Sequence, residues 1–307
     1  MNGKIHGTLL CLCLLLAAMR FDAEASPAPD RLERLAQLRE ASKRERTVAL
    51  PAGAKAVRNV AYGTDPAQRF DLYLPKGIRR APVFFFVHGG GWANGDKTNP
   101  GIENKINFWL AKGYAVISAN YRMLPKAAPL QQARDVARAV ATAQHGASEW
   151  SLDPTHFVLV GHSAGAHLVA LLGADPKMLA DAGAQRPLGV VSLDSGALDV
   201  PALMGMPRLP KLYRDAFGDD RNYWIATSPQ HQLGRDALPM LIVCSSERRF
   251  PTSPCDEGRK LAQKAAQLNL RMEVLPEPMS HKEINHGLGL PSAYTEAVAG
   301  FIRSLVK

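Results

Sequence analysis

The chain has 307 residues, with 37 Lys and Arg against 28 Asp and Glu, so its formal net charge is 37 − 28 = +9. About 46% of the residues are hydrophobic and 21% are charged, which excludes a mostly disordered or fibrous chain. The length allows one large domain or two small ones, and the positive charge alone identifies neither a nucleic acid nor a membrane surface as a partner.

Residues 1–25 have the features of a secretory signal peptide. Lys4 precedes an apolar run, Thr8 to Ala18, that is too short to span a bilayer. Ala23-Glu24-Ala25 has the small-x-small pattern of a cleavage site. The sequence therefore predicts a secreted or periplasmic protein with a helical leader at residues 26–56. No later run approaches about 20 apolar residues, so we expect no transmembrane segment.

From about residue 57 the chain alternates between predicted strands and helices. Residues 70–75 alternate like a half-buried strand, whereas residues 83–87 and 115–119 are continuously apolar, as buried parallel strands are. Further strands are expected at 157–160, 188–193, 239–244 and 270–275, and helices at 130–144, from 164, near 255–267 and at 292–305. This order predicts one α/β domain, residues 57–307, with a mostly parallel sheet covered by helices on both faces.

A candidate nucleophile follows the predicted strand 157–160. Gly161-His162-Ser163-Ala164-Gly165 stands between that strand and a helix, which is the setting of a G-x-S-x-G nucleophile elbow. The turn strains the serine backbone, so its close neighbours must be small. The start of the helix also directs N–H groups toward a developing oxyanion. We therefore predict Ser163 as the nucleophile and the N–H of Ala164 as an oxyanion donor.

A second glycine-rich segment follows the predicted strand 83–87. His88-Gly89-Gly90-Gly91-Trp92 matches the HGGG type of oxyanion loop, in which glycines let the backbone pass close to a ligand. Gly90 and Gly91 are the predicted N–H donors. His88 is expected to orient the loop by a hydrogen bond.

With these two motifs, the chain resembles α/β-hydrolases of the HGGG carboxylesterase group, close to the hormone-sensitive-lipase and feruloyl-esterase-like (BD-FAE) branches. The resemblance covers roughly residues 57–307. Further matching stretches are Val60-Ala61-Tyr62-Gly63, Asp71-Leu72-Tyr73-Leu74-Pro75, Asn120-Tyr121-Arg122 with Pro125, Asp135, Asp153-Pro154 and Ala226-Thr227-Ser228-Pro229. It implies the α/β-hydrolase fold, hydrolysis by a serine nucleophile, and a histidine and an acid late in the chain.

The predicted base is His281. It lies after the predicted strand 270–275, in a Ser-His-x-x-Ile-Asn stretch similar to the one that carries the family's catalytic histidine. His286, five residues later, is the alternative. A histidine in this position takes the proton of the serine and then delivers it to the leaving group.

The third member of the triad is less clear from the sequence. The family pattern after the strand 239–244 is G-x-x-D, but this chain has Ser245-Ser246-Glu247-Arg248-Arg249-Phe250. Glu247 is the nearest carboxylate and is the first choice. Asp194, directly after the strand 188–193, is the alternative acid. Asp256 is a third candidate, although Ser253-x-x-Asp256 already reads as a helix capping box.

Two features near the predicted site remain open. Cys244 and Cys255, the two cysteines beyond the predicted signal, either form a disulfide that braces the acid loop or stay free. Residues 195–238 are long for a crossover between strands. They either fold over the site as a lid or pack as part of the crossover.

Together, the motifs and the resemblance predict a serine hydrolase that cleaves a small-molecule carboxylic ester through a Ser-His-acid triad. The alternatives are an amidase, aryl-formamidase or peptidase of the same fold, and a non-catalytic binding protein if the acid is absent. No cofactor is expected, because the sequence has no Cys/His metal spacing and no phosphate-binding glycine motif. No nucleic-acid motif is found, and the oligomeric state is left open.

Overall fold

The computed structural model describes residues 48–306. The predicted signal peptide and most of the predicted leader lie outside this range. Eight strands form one sheet: β1 (Lys55–Ala61), β2 (Arg69–Leu74), β3 (Ala81–Val87), β4 (Ala115–Ala119), β5 (Leu152–His162), β6 (Gly189–Leu193), β7 (Met240–Ser245) and β8 (Met272–Glu277).

The strand order across the sheet is β1-β2-β4-β3-β5-β6-β7-β8. The pairs β1–β2 and β2–β4 are antiparallel, and every pair from β4–β3 to β7–β8 is parallel. This confirms the predicted mostly parallel α/β sheet. Because these strands are parallel, the carboxyl ends of β3, β5, β6, β7 and β8 lie along one edge of the sheet. The chain order also reverses direction across the sheet after β4. In open α/β sheets, ligands bind at the carboxyl ends of the strands, near such a reversal.

The described residues form eleven helices: α1 (Ile102–Ala111), α2 (Pro129–His145), α3 (Ala164–Ala174), α4 (Lys177–Asp181), α5 (Val200–Met204), α6 (Lys211–Phe217), α7 (Arg221–Ala226), α8 (Pro229–Gln232), α9 (Pro254–Gln267), α10 (His281–Gly287) and α11 (Ala293–Leu305). The long helices α2, α3, α9 and α11 were predicted within two residues. Helix α1 was not, although its apolar residues recur at helical spacing. No helix within residues 48–306 is long and apolar enough to cross a membrane.

The core lies on both faces of the sheet, as the apolar strands predict. Val83, Phe85 and Val87 of β3 belong to one hydrophobic cluster, whereas Phe84 and Phe86 belong to the other. Successive side chains of a strand point to opposite faces, so β3 is buried from both sides. The loop that leaves its carboxyl end is therefore attached to a rigid, fully packed strand.

Candidate active site

Ser163 stands in a strained turn between β5 and α3. Its backbone has φ 56° and ψ −117°, in the half of conformational space that non-glycine residues rarely occupy. A Cβ atom on Gly161 would lie 2.3 Å from the carbonyl oxygen of Gly165, and one on Gly165 would lie 2.2 Å from that of Val87. Both positions must therefore be glycine for this turn to form.

His281 and Asp194 are in direct contact. The His281 Nδ1–H donates to Asp194 Oδ2 at 2.6 Å, and the other carboxylate oxygen accepts the backbone N–H of Ser245 at 2.7 Å. Asp194 is fully buried, so both of its oxygens are held in place. His281 and Ser163 line the same cavity, which has a volume of about 430 Å³. The arrangement brings a serine, a histidine and a buried carboxylate together at one edge of the sheet.

The carboxylate that contacts His281 is that of Asp194, the alternative acid, and not that of Glu247, the first choice. Ser245 Oγ accepts the backbone N–H groups of Glu247 and Arg248 at 3.3 and 3.2 Å. Glu247, which lies in this tight turn, is exposed to solvent, and its carboxylate forms no hydrogen bond or ion pair with the described residues. The first-choice acid after β7 therefore has no contact of this kind with His281, whereas the alternative acid after β6 does.

Asp256 is explained by helix capping, as the sequence indicated. The hydroxyl of Ser253 accepts its backbone N–H at 3.3 Å, and its exposed carboxylate pairs with Arg259 at 2.8 Å. This carboxylate therefore serves the start of α9 rather than the site.

His281 is the first residue of α10, and a reciprocal capping box sets the start of that helix. The Ser280 hydroxyl accepts the N–H of Glu283 at 3.3 Å, and the Glu283 carboxylate accepts the N–H of Ser280 at 2.8 Å. The Ser280-x-x-Glu283 spacing is itself a sequence signal for the start of this helix. His286, the alternative base, also lines the cavity, but the buried carboxylate contacts His281.

The glycine loop after β3 lies against the nucleophile. A Cβ atom on Gly89 would lie 2.9 Å from that of Ser163, so only a bare backbone can approach this closely. The backbone N–H groups of Gly90, Gly91 and Ala164 find no acceptor among the described residues. Three such unpaired donors beside one serine are what an oxyanion hole requires.

The loop is held in place by the segment that follows β4. Tyr121 stacks on the ring of His88 with centroids 4.6 Å apart, and its hydroxyl donates to the His88 carbonyl at 3.0 Å. The His88 Nδ1–H in turn donates to the carbonyl of Gly89 at 2.8 Å. Burial lowers the pKa of His88, so its imidazole is neutral. These contacts agree with the predicted orienting role of His88.

Comparisons with known proteins agree with this geometry. Residues 70–184 match the BD-FAE family model. Structural similarity extends further: a truncated carbohydrate esterase from gut microbiota superposes with a TM-score of 0.70 at 18% identity, over 82% of this chain and 96% of that one. The chain has the α/β-hydrolase fold. The predicted fold is thereby confirmed, and the resemblance to BD-FAE is confirmed over the matched residues 70–184.

Among curated relatives, esterase LipC of Mycobacterium tuberculosis is 28% identical over 232 residues, which are 67% of this chain and 54% of LipC. The isoprenylcysteine alpha-carbonyl methylesterase ICME of Arabidopsis thaliana is 32% identical over 117 residues, or 37% of this chain and 26% of that enzyme. The chain thus spans about half or less of the length of these two relatives.

His162, the variable residue of the elbow motif, packs against His281. Its ring packs on that of His281 with centroids 4.5 Å apart, and its Nε2–H donates to the His281 carbonyl at 3.0 Å. Burial, together with the nearby His281, holds the pKa of His162 well below its ordinary value. His162 is therefore a neutral donor. The elbow motif treats this position as variable, so the sequence carried no signal for the contact.

A buried lysine forms a hydrogen bond with the carboxyl-terminal turn of α10. Lys105 of α1 is fully buried, and its Nζ donates to the carbonyls of Asn285 at 2.5 Å and Gly101 at 3.1 Å. The neighbouring Asn104 side chain donates to the carbonyl of His286 at 2.8 Å. Helix α1 thereby holds the last turn of the helix that begins with His281. Burial lowers the pKa of Lys105 from 10.5 to about 7.

This lowered pKa predicts a specific dependence of stability on pH. Between pH 7 and 10.5 the unfolded chain binds more protons at Lys105 than the folded protein does, so the free energy of unfolding should rise with pH in this window. Lys105→Met should reduce that rise, as measured by urea unfolding at several pH values with the disulfide intact. Exposed Lys260 on α9 provides the control, because Lys260→Met should retain the rise. Equal pH profiles for the wild type and Lys105→Met would contradict the assignment.

Residues 195–238, the long crossover, contain α5 to α8 and pack against the oxyanion loop. The Trp92 ring contacts those of Tyr213 and Phe217 with centroids 5.6 and 4.9 Å apart. Trp92 Nε1–H also donates to His167 Nδ1 at 3.2 Å. Tyr213 and Phe217 are buried, whereas Leu212 is 42% exposed. The described crossover therefore forms a packed wall beside the site, which is the second of the two alternatives left open by the sequence.

Cys244 and Cys255 form a disulfide. It joins the end of β7 to the first turn of α9 and so closes the loop of residues 245–254. That loop provides the Ser245 N–H that binds Asp194. Of the two alternatives left open by the sequence, the disulfide is the one found. Among residues 48–306, no group of three or more His, Cys, Asp or Glu side chains could hold a metal ion.

Proposed function

We propose that this α/β-hydrolase is a serine hydrolase that cleaves carboxylic esters. The observation that carries the proposal is the 2.6 Å contact between His281 and the buried Asp194, beside a cavity that His281 shares with the strained Ser163. Relatives and solved structures named as esterases support the same reaction class.

The reaction follows from the position of each group. His281 Nε2 accepts the Ser163 proton as the serine oxygen attacks the ester carbonyl, and the N–H groups of Gly90, Gly91 and Ala164 stabilise the oxyanion. The protonated His281 then donates its proton to the departing alcohol, which leaves an acyl-serine. Water, deprotonated by His281, attacks the acyl group, and the carboxylic acid leaves as Ser163 regains its proton. Throughout the reaction the Asp194 carboxylate accepts a hydrogen bond from the Nδ1–H of His281 and remains unprotonated.

The shape of the cavity favours a small ester. The cavity walls combine the apolar side chains of Phe86, Pro100 and Ile102 with the polar side chains of Asp96, Lys97, Asn99, Asn285 and His286. A volume of about 430 Å³ is near the lower end for small-molecule sites. In a cavity of this size a long alkyl chain would also place apolar surface against the polar groups, at a cost in binding free energy. The substrate we propose is therefore an ester with short or polar substituents.

Export to the periplasm or the outside of the cell is part of the proposal. It rests on residues 1–25 alone, which lie outside the described part of the chain. The disulfide is consistent with an oxidising compartment.

A fluorophosphonate probe tests the function directly, because it reacts with an activated serine. We expect wild-type protein to be labelled on Ser163, as located by peptide mass spectrometry, and to hydrolyse p-nitrophenyl acetate faster than the octanoate. Ser163→Ala should show neither property while keeping the wild-type circular dichroism. Folded wild-type protein that is neither labelled nor active on any ester of the series would refute the proposal.

A further inference from the structure

Arg248 reaches the histidine and the acid of the site from the loop after β7. Its NH1 lies 3.3 Å from His281 Nδ1, its NH2 donates to the backbone carbonyl of Asp194 at 3.4 Å, and its Nε lies 3.5 Å from Asp194 Oδ2. Only 19% of its side chain is exposed. If Ser245 takes the place of glycine in the family's G-x-x-D pattern, this arginine takes the place of the aspartate.

The residues around Arg248 position its backbone and leave space for its side chain. The Ser245 hydroxyl that turns Glu247 outward also binds the N–H of Arg248. A Cβ atom on residue 196 would lie 2.8 Å from Arg248 NH2, and Gly196 leaves that space open. The disulfide joins Cys244, which precedes the loop that contains Arg248, to Cys255, which follows it. An exposed, freely moving arginine would need none of these contacts.

The charge of Asp194 explains why an arginine is useful here. An ionised carboxylate with no exposed surface is strongly destabilised unless a cation or several donors compensate it. The Ser245 N–H and a neutral His281 provide hydrogen bonds but no positive charge. Arg248 is the cation in ion-pair distance of Asp194 among the described residues, apart from His281 itself when protonated.

The same guanidinium affects His281. Without Arg248, the remaining way to compensate Asp194 is to protonate His281, which would remove the base. With Arg248 in place, a second proton on His281 meets a positive charge only 3.3 Å away. Other charged or titratable groups near His281, Asp194 and Arg248 lie on six elements: His162 on β5, Lys105 on the neighbouring α1, Lys282, Glu283 and His286 on α10, the buried Glu257 on α9, Tyr213 on α6 and Tyr294 on α11.

We propose that Arg248 is a positioning residue, which keeps the buried Asp194 ionised and aligned so that His281 stays neutral and ready to accept the serine proton. This inference rests on the proposed ester hydrolysis and adds a role for a residue that contacts neither the nucleophile nor the oxyanion donors. Its consequence is activity that extends to lower pH than the His281–Asp194 pair alone would allow.

The test compares pH profiles of kcat/KM for p-nitrophenyl acetate in Arg248→Gln, Arg248→Lys and the wild type. We expect the acidic limb of Arg248→Gln to move up by about one pH unit, which is about a tenfold loss of kcat/KM below the midpoint. At pH 8.5 to 9 its activity should stay within about threefold of wild type. Arg248→Lys, which keeps the charge, should lie between the two. Arg249→Gln, at the exposed neighbouring arginine, should match the wild type.

Two results would overturn the inference. One is an unchanged acidic limb in Arg248→Gln. The other is a loss by the same factor at every pH, with Arg248→Lys no better than Arg248→Gln, because this pattern indicates a purely structural role. Failure of the proposed function is distinct, since it appears as absent activity and absent fluorophosphonate labelling in the wild type. Labelling of each folded variant at pH 9 separates a misfolded variant from one with an altered pH profile.

Discussion

Asp194→Asn should lower kcat for p-nitrophenyl acetate by about 10⁴-fold, the loss that follows when a triad aspartate is amidated. An asparagine amide can donate to His281 Nδ1, which would place the imidazole proton on Nε2. His281 could then no longer accept the proton of Ser163. The loss should appear in kcat far more than in KM, because the carboxylate contacts the base and not the substrate.

Glu247→Gln is the matched control for this prediction. Glu247 follows the neighbouring strand but is exposed, so its amidation should change kcat by less than about twofold. The two variants differ from the wild type by the same chemical change, and circular dichroism should show both folded. If Glu247→Gln were the impaired variant and Asp194→Asn were active, Glu247 would be the acid and the observed contact of Asp194 with His281 would have no catalytic role.

Ser163→Ala and His281→Ala should each lower kcat by about 10⁵- to 10⁶-fold, and the double variant should be no slower than either single one. The serine attacks only as its proton passes to the histidine, so loss of either group removes the same step. The slow reaction that remains depends on the N–H donors of the oxyanion loop and the helix start, which both substitutions leave in place.

The measurement is single-turnover hydrolysis of p-nitrophenyl acetate by the two single variants and the double variant. His231→Ala is a suitable control, because this histidine is 38% exposed and pairs with Asp199 away from the cavity lining. It should keep wild-type kcat. If the losses in the double variant multiplied, Ser163 and His281 would act in independent steps, and the proposed proton transfer between them would be wrong.

Much of the fold could be predicted because its signals are local. The mainly apolar runs 83–87 and 115–119 correspond to β3 and β4, since a strand buried on both faces carries few polar side chains. The exception in β4 is Ser118, whose buried hydroxyl donates to the carbonyl of Lys97. The hydrophobic pattern does not predict the helix at His281, although the Ser280-x-x-Glu283 capping box indicates its start. Only seven residues long, α10 is too short for a periodic pattern.

Some residues of the candidate site could likewise be predicted from local sequence, and others could not. Ser163 and the glycine loop could be predicted because each depends on small residues within one contiguous segment. The acid could not be chosen between Asp194 and Glu247. Both follow neighbouring strands, β6 and β7, and the choice depends on how the turn at Ser245 directs the next side chains. Lys105 and Arg248 gave no signal, since nothing local distinguishes a buried cation from an exposed one.

What this sequence by itself determined, therefore, is the strained turn at Ser163, the glycine loop after β3 and the α/β class, all set by steric demands within a few consecutive residues. Only the tertiary structure decided which groups complete the site. His281 and Asp194 lie 87 positions apart in sequence, and they meet because the sheet aligns the carboxyl ends of its parallel strands. The net charge of +9 does not by itself indicate where any cation acts. The fold places one of the basic residues, Arg248, beside the buried carboxylate of Asp194.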